Sequence, residues 1–170
     1  MGKQEQGLDG GRGRYQLVPR TLCLISHGDE VLLLKGAPTK RLWPGRFNGI
    51  GGHVEPGEDI AAAARREIKE ETGITIRDLR LCGVVTIDVE PLLGIGLYVF
   101  SAEAESREVI PSIEGKLRWF PSDALPPREE MVEDLPILLG SVLSRSPTTP
   151  PFCAHYSYNA EGERVIRFSS

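Results

Sequence analysis

The sequence has no CxxC pair, no excess of positive charge and no apolar run long enough to cross a membrane, and each absence removes a class of function. Its three cysteines, Cys23, Cys82 and Cys153, lie far apart. That spacing argues against both a zinc site and a disulfide framework, and makes a reducing cytoplasm the simplest expected location. A formal net charge of −4 offers no electrostatic footprint for a polyanionic duplex, so binding to extended DNA or RNA is disfavoured. A small phosphorylated substrate stays open, because a metal ion can supply positive charge locally. Residues 1–16 are polar and glycine-rich without the apolar segment of a signal peptide, so neither export nor membrane insertion is expected.

What is present suits one globular domain. A chain of 170 residues, 40% hydrophobic, has material for an independent core. Residues 1–16 read as a flexible tail and 17–170 as a single catalytic domain. Thr21–Ile25 and Val31–Leu34 are apolar, partly β-branched runs around His27-Gly28-Asp29-Glu30, which predicts a hairpin. A loop follows from Gly36 to Phe47, then the glycine-rich Asn48-Gly49-Ile50-Gly51-Gly52. Asp59 is a candidate N-cap for a helix from Ile60 to about Thr72, closed by Gly73. Strands are expected over Leu79–Val89, Leu92–Ala102 and Leu117–Phe120. A second helix is expected from about Arg128 to Leu143, after Pro126-Pro127, and a terminal hairpin over Phe152–Tyr158 and Arg164–Phe168. Strands alternating with two helices point to an α/β fold with helices packed on a mixed sheet.

The segment from Gly52 to Ile74, GHVEPGEDIAAAARREIKEETGI, carries the chemistry. On a helical wheel Glu67 and Glu71 fall in the arc of Ile60, Ala63 and Ala64, with Glu70 at its edge, so three carboxylates continue an apolar stripe. A solvated helix sets its charges on the other side. Turning repelling carboxylates toward a low-dielectric sheet costs free energy unless protons, arginine or a hard cation neutralise them. Arg66 alone cannot balance three. Mg²⁺ suits them, because it takes oxygen ligands and shares its remaining positions with water and phosphate. Taken as six letters, REIKEE also suits a solvated salt-bridge pattern, and the flanking glycines favour the former reading.

Those residues resemble the Nudix box, G-x5-E-x7-R-E-U-x-E-E-x-G-U with U aliphatic, at Gly52, Glu58, Arg66, Glu67, Ile68, Glu70, Glu71, Gly73 and Ile74. The resemblance implies the Nudix α/β/α sandwich with a mixed β-sheet, and hydrolysis of a diphosphate bond in a nucleotide-type substrate. It further implies Mg²⁺, with Mn²⁺ as a substitute, held by Glu67, Glu70 and Glu71 and by a carbonyl of Gly51 or Gly52. Arg66 would orient Glu67, and Glu58 would support the turn into the helix or contact the metal indirectly. Outside the box the chain looks most like the oxidised purine nucleoside triphosphatases, which remove 8-oxo-dGTP. By that likeness Glu114 is a further metal-binding glutamate, and Asn48, Glu133 and Asp134 read the base. His53, where the family has lysine, could contact phosphate. Met131 stands where the animal enzymes place a stacking tryptophan.

The same residues also have ordinary readings. Asn48 suits a turn before Gly49, Glu133 and Asp134 a solvated helix face, Glu114 an exposed turn, and Trp119 and Phe120 the core. The expected reaction converts a modified purine triphosphate to the monophosphate and pyrophosphate, with Glu67, Glu71 or Glu114 as the base. ADP-ribose, a dinucleoside polyphosphate, or nucleotide sensing without cleavage are the competing expectations.

Overall fold

The computed structural model describes residues 13–169. The expected tail over 1–12 lies outside the described residues, and the chain has already joined the sheet at Gln16, one residue ahead of the expected domain boundary. Strand β1 spans Gln16–His27, Gln16 donates its N–H to the Leu92 carbonyl, and the Tyr15 hydroxyl donates to Asp88.

β1 turns into β2 (Glu30–Gly36) through the expected hairpin, with Ile25 opposite Leu32 and His27 opposite Glu30. Then come β3 (Phe47–Asn48), helix α1 (Ile60–Thr72), β4 (Ile76–Glu90), β5 (Leu93–Ala104) and β6 (Gly115–Pro121). Helix α2 (Leu135–Leu143) and a terminal hairpin of β7 (Phe152–Tyr158) and β8 (Arg164–Phe168) complete the chain. The strands form one sheet in the order β3-β2-β1-β5-β4-β7-β8, with β6 also paired to β2. Parallel pairings of β1 with β5 and β4 with β7, among antiparallel ones, make it mixed.

Because successive strand residues point to opposite faces, β1 feeds two cores. Leu22 and Leu24 pack with Leu135, Leu138, Leu139 and Val142 of α2. Cys23 and Ile25 pack with Ala64 and Ile68 of α1. A helix thus covers each face, which explains why β1 and β2 read as nearly continuous apolar runs rather than alternating ones. Trp119 and Phe120 divide in the same way, Phe120 in the α2 layer and Trp119 against the α1 layer, so both belong to the core.

The segment expected as one helix from Arg128 to Leu143 is split. A single 3₁₀ turn covers Arg128–Glu130, Met131 is extended (φ −101°, ψ 158°), and α2 starts only at Leu135. The cause is tertiary: Met131 bridges to Phe47, and Val132 donates its N–H to the Phe47 carbonyl. Pairing to β3 draws the backbone out of helix, and Pro136 suits the first turn of the helix that follows. Glu133 and Asp134 therefore precede α2, and Met131 is sunk in the α2-side core.

Candidate active site

Helix α1 begins and ends as its sequence dictates. The Asp59 carboxylate accepts from the N–H groups of Ala61 (2.8 Å) and Ala62 (2.9 Å). At the other end Gly73 takes the left-handed conformation (φ 71°) and donates to the Lys69 carbonyl. Ala63, Ala64, Ile68 and Glu71 are buried. Two of the three glutamates follow the buried stripe: Glu71 is 8% exposed and the Glu67 side chain 14%. Glu70, expected at the edge of that stripe, lies outside it with its side chain 60% exposed, because Ile68 draws the buried arc away from it.

Arg66 ties the helix to the loop before it. Its guanidinium donates to both Glu58 oxygens (3.1 and 2.7 Å), to Glu67 (2.9 Å), to the exposed Glu70 (3.3 Å) and to the His53 carbonyl (3.0 Å). Glu58 also accepts the Glu55 N–H. These contacts hold the Glu58 carboxyl below its ordinary range, the Arg66 hydrogen bonds first among the causes.

The glycine loop is laced to β1. Ile50 and Cys23 exchange backbone hydrogen bonds, Thr21 donates to the Gly52 carbonyl, and Val54 donates to Pro19. This brings the loop against α1: the Gly51 N–H donates to Glu71 (3.3 Å), and a Cβ on Gly52 would stand 2.4 Å from a Glu67 carboxylate oxygen. Glycine leaves that carboxylate in place. Burial, followed by repulsion from Glu67, raises the Glu71 carboxyl from its ordinary 4.5 to about 7. Beneath the pair, burial and then the charges of Glu71 and Glu67 push the Cys23 thiol up to about 12, leaving it an inert core residue.

The raised Glu71 carboxyl sets a stability profile. Its folded form prefers the proton, so its contribution is fully present below pH 4.5 and is lost as pH rises toward about 7. In chelator, Glu71→Gln is expected to match the native chain near pH 4.5 and to exceed it at pH 8 by up to about 3 kcal/mol. Denaturant titrations of both chains across that range measure the difference, and equal stability at pH 8 contradicts it.

Glu67 and Glu71 open into a cavity of about 560 Å³ that is also lined by Gly51, Gly52, Glu114, Asn48, His53 and Asp134. Glu114 is paired there with Lys40 (2.6 Å). Asn48, at the end of β3, spends its side-chain oxygen on the Gly49 N–H (2.9 Å) and lines the cavity. His53 accepts from Arg20 (3.1 Å) at the exposed rim. The adjacent acids behave differently. Asp134 is 14% exposed and lines the cavity, its carboxyl raised by burial; Glu133 is 68% exposed and does not line it. Met131, being in the core, provides no surface there. A second hollow, of about 590 Å³, lies over Tyr15, Asp88 and His155 and holds none of the α1 carboxylates.

Several cavity residues were not anticipated. Arg20, Lys40, Trp43, Tyr158 and Arg164 line it from four separate stretches of chain. Basic residues in the Gly36–Phe47 loop hinted at Lys40. Nothing in the residue pattern marked Tyr158 or Arg164, which reach the cavity only because the terminal hairpin pairs beside β4.

The carboxylates fit a hard divalent cation by donor chemistry: Glu67 and Glu71 lie beside glycine backbone, and burial, then their repulsion, lifts Glu71. In this structure Arg66 neutralises Glu67 and Glu70, and Lys40 neutralises Glu114. Among the described residues no three His, Cys, Asp or Glu side chains are set around one point. Nor is any described helix long and apolar enough to cross a membrane.

A mixed sheet between two helices, with a carboxylate helix meeting a glycine loop at a cavity, defines an α/β/α class of protein. The chain belongs to the Nudix family, the NUDIX domain model matching residues 16–139. It is 35% identical over 114 residues to the NAD-capped RNA hydrolase NudC of Pseudomonas syringae, a match covering 66% of this chain and 39% of that one. The chain therefore corresponds to about two fifths of the length of that relative. With the oxidized purine nucleoside triphosphate hydrolase of Mus musculus it shares 30% identity over 154 residues, 88% of this chain and 91% of that one. Among solved structures, a MutT NUDIX hydrolase from Burkholderia pseudomallei superposes with a TM-score of 0.63 at 29% identity, over 75% of this chain and 98% of that one.

Proposed function

We propose that this protein is a Mg²⁺-dependent diphosphohydrolase that cleaves a purine nucleoside triphosphate, preferably an oxidised or otherwise modified one, to the monophosphate and pyrophosphate. The observation that carries the reading is the single cavity that joins Glu67, Glu71 and Glu114 with Asn48 and Asp134. Carboxylates for phosphate chemistry and neutral or acidic groups for a base share one space. The mouse relative, matched over nearly the whole length of both chains, supports the substrate class.

Glu67, Glu70, Glu71 and Glu114, with a carbonyl of Gly51 or Gly52, would hold the cation. When bound, a divalent cation polarises phosphorus and acidifies water. This chain's residues do the rest. Arg66 fixes Glu67 and braces the loop through Glu58, and Arg20 with His53 meets phosphate oxygens at the rim. Of the three candidate bases, Glu67 is tied to Arg66 and Glu114 to Lys40, which leaves Glu71 to take the proton of the attacking water. The Asn48 amide donates to the base, and Asp134 accepts from it.

A second reading, a dinucleotide joined through pyrophosphate, is favoured by the 35% identity to NudC. A substrate panel in which the nucleotide products are resolved by chromatography separates the two, since only the triphosphate reaction releases pyrophosphate. An oxidised purine triphosphate should show kcat/KM at least about tenfold above NAD, ADP-ribose and dinucleoside tetraphosphate, since a base edge with unmatched hydrogen-bonding groups costs on the order of 1–3 kcal/mol. Asn48→Ala should lower the purine value and leave a pyrimidine triphosphate nearly unchanged. A panel led by NAD or ADP-ribose overturns the substrate class.

A further inference from the structure

Arg164 lies outside the matched NUDIX segment, on β8 of the terminal hairpin, yet it lines the same cavity as Asp134. Its side chain is 15% exposed. Its Nη1 stands 3.6 Å from Asp134 Oδ1 and its Nη2 3.5 Å from Glu133 Oε2. The first distance makes an ion pair and is too long for a hydrogen bond. Both Nε and Nη1 are sealed from water without a hydrogen-bond partner. Buried donors are nearly always satisfied, so the guanidinium keeps unused donor capacity beside Asp134 that a small shift of the side chain on ligand binding would bring into use.

Tertiary contacts keep the guanidinium there. It lies over the Tyr156 ring, 5.8 Å from its centre, and Tyr156 is fully buried in the α2-side core. Arg164 is opposite Tyr158 in the β7–β8 ladder, and Tyr158 also lines the cavity. The hairpin thus delivers a fixed cation to a wall that otherwise offers a carboxylate and an amide.

We propose that Arg164 is a specificity-determining residue of the nucleotide site, forming with Asp134 a donor–acceptor pair for the base. A guanidinium only donates and a carboxylate only accepts. Together they match a purine edge that carries a carbonyl beside N–H groups, as a 6-oxopurine does. A 6-aminopurine held in the same orientation sets its amino group against the guanidinium and its unprotonated ring nitrogen against the carboxylate, so both contacts are lost unless the base turns over. Two mismatched groups in a site built to hydrogen-bond discriminate more strongly than a difference in size. The inference rests on the reading of this cavity as a nucleotide site.

The test is equilibrium binding of guanosine and adenosine 5′-monophosphates by calorimetry in chelator, which requires no turnover. Native protein should bind the 6-oxopurine at least about tenfold more tightly. Arg164→Met keeps length without the donors and should bring the two affinities within about threefold, mainly by weakening the 6-oxopurine. Arg164→Lys keeps the charge without the planar fork and should give an intermediate ratio; it decides the matter if the Met variant fails to fold. A native protein with no base preference, no binding of either monophosphate, or a ratio unchanged in both variants overturns the proposal. Loss of hydrolysis with the preference intact would instead count against the hydrolase reading.

Discussion

Glu71→Gln is expected to lower kcat/KM about 10³-fold, within the range by which a positioned proton acceptor accelerates a reaction. Three observations converge on this residue. It is the most buried glutamate of α1, it accepts the Gly51 N–H, and its carboxyl is raised to about 7 by burial and by Glu67. Its place against the Gly51 loop, beside Glu67 and open to the cavity, would set it to take the proton of the attacking water. Glutamine keeps the shape and can still meet the Gly51 N–H through its carbonyl oxygen, so the helix should fold unchanged. The drop should therefore come from lost chemistry, with the variant no less stable than the native chain and more stable above neutral pH. Steady-state kinetics with saturating Mg²⁺ and thermal melts in chelator check both halves. Turnover within about threefold of native removes Glu71 from the chemistry. Glu70→Gln, on the exposed side of the helix, should also lose turnover if its carboxylate helps hold the cation. Its ion pair with Arg66 is of the surface kind that is worth little to stability. Near-native rates from both variants remove the metal reading altogether.

Gly51→Ala is expected to destabilise the protein by about 3 kcal/mol, a Tm loss of roughly 10 °C for a chain of this size. Gly51 has φ 151°, a conformation that favours glycine, and a Cβ built on it would stand 2.2 Å from the Thr21 carbonyl oxygen. That oxygen belongs to β1, at the centre of the sheet, so no flexible side chain can move aside. Relief requires pulling the loop off β1, which breaks the Thr21–Gly52 and Ile50–Cys23 hydrogen bonds. Activity should fall too, because the same loop carries the N–H that meets Glu71. The neighbouring substitution provides a contrast. At Gly52 the new Cβ meets the Glu67 carboxylate, which can swing away, so Gly52→Ala should cost much less stability while still disturbing Glu67. Thermal melts of the two variants give the order, and equal losses contradict the argument.

Much of the fold was legible in the residues because its signals are local. Asp59 and Gly73 bound α1 through capping chemistry that depends on the residues themselves. The apolar runs around Gly28-Asp29 close into a hairpin for the same reason. The pattern of glutamates, arginine and glycines from Gly52 to Ile74 likewise points to the family by itself. Where two forces competed, the pattern was insufficient. The wheel placed Glu70 at the edge of the buried arc, and only the packing of Ile68 against β1 and β5 turned it toward solvent and Arg66. From Arg128 to Leu143 the apolar residues suit a helix, but pairing of Met131 and Val132 with Phe47 makes the first part extended, and this in turn separates the exposed Glu133 from the buried Asp134. The sequence by itself determined which carboxylates and glycines would meet, since they lie within one turn-and-helix unit. The tertiary structure alone decided what faces them. Arg164 and Tyr158 reach the cavity because β7 pairs in parallel with β4 and carries β8 alongside, a long-range choice made by burial over the whole sheet and marked by no local residue pattern.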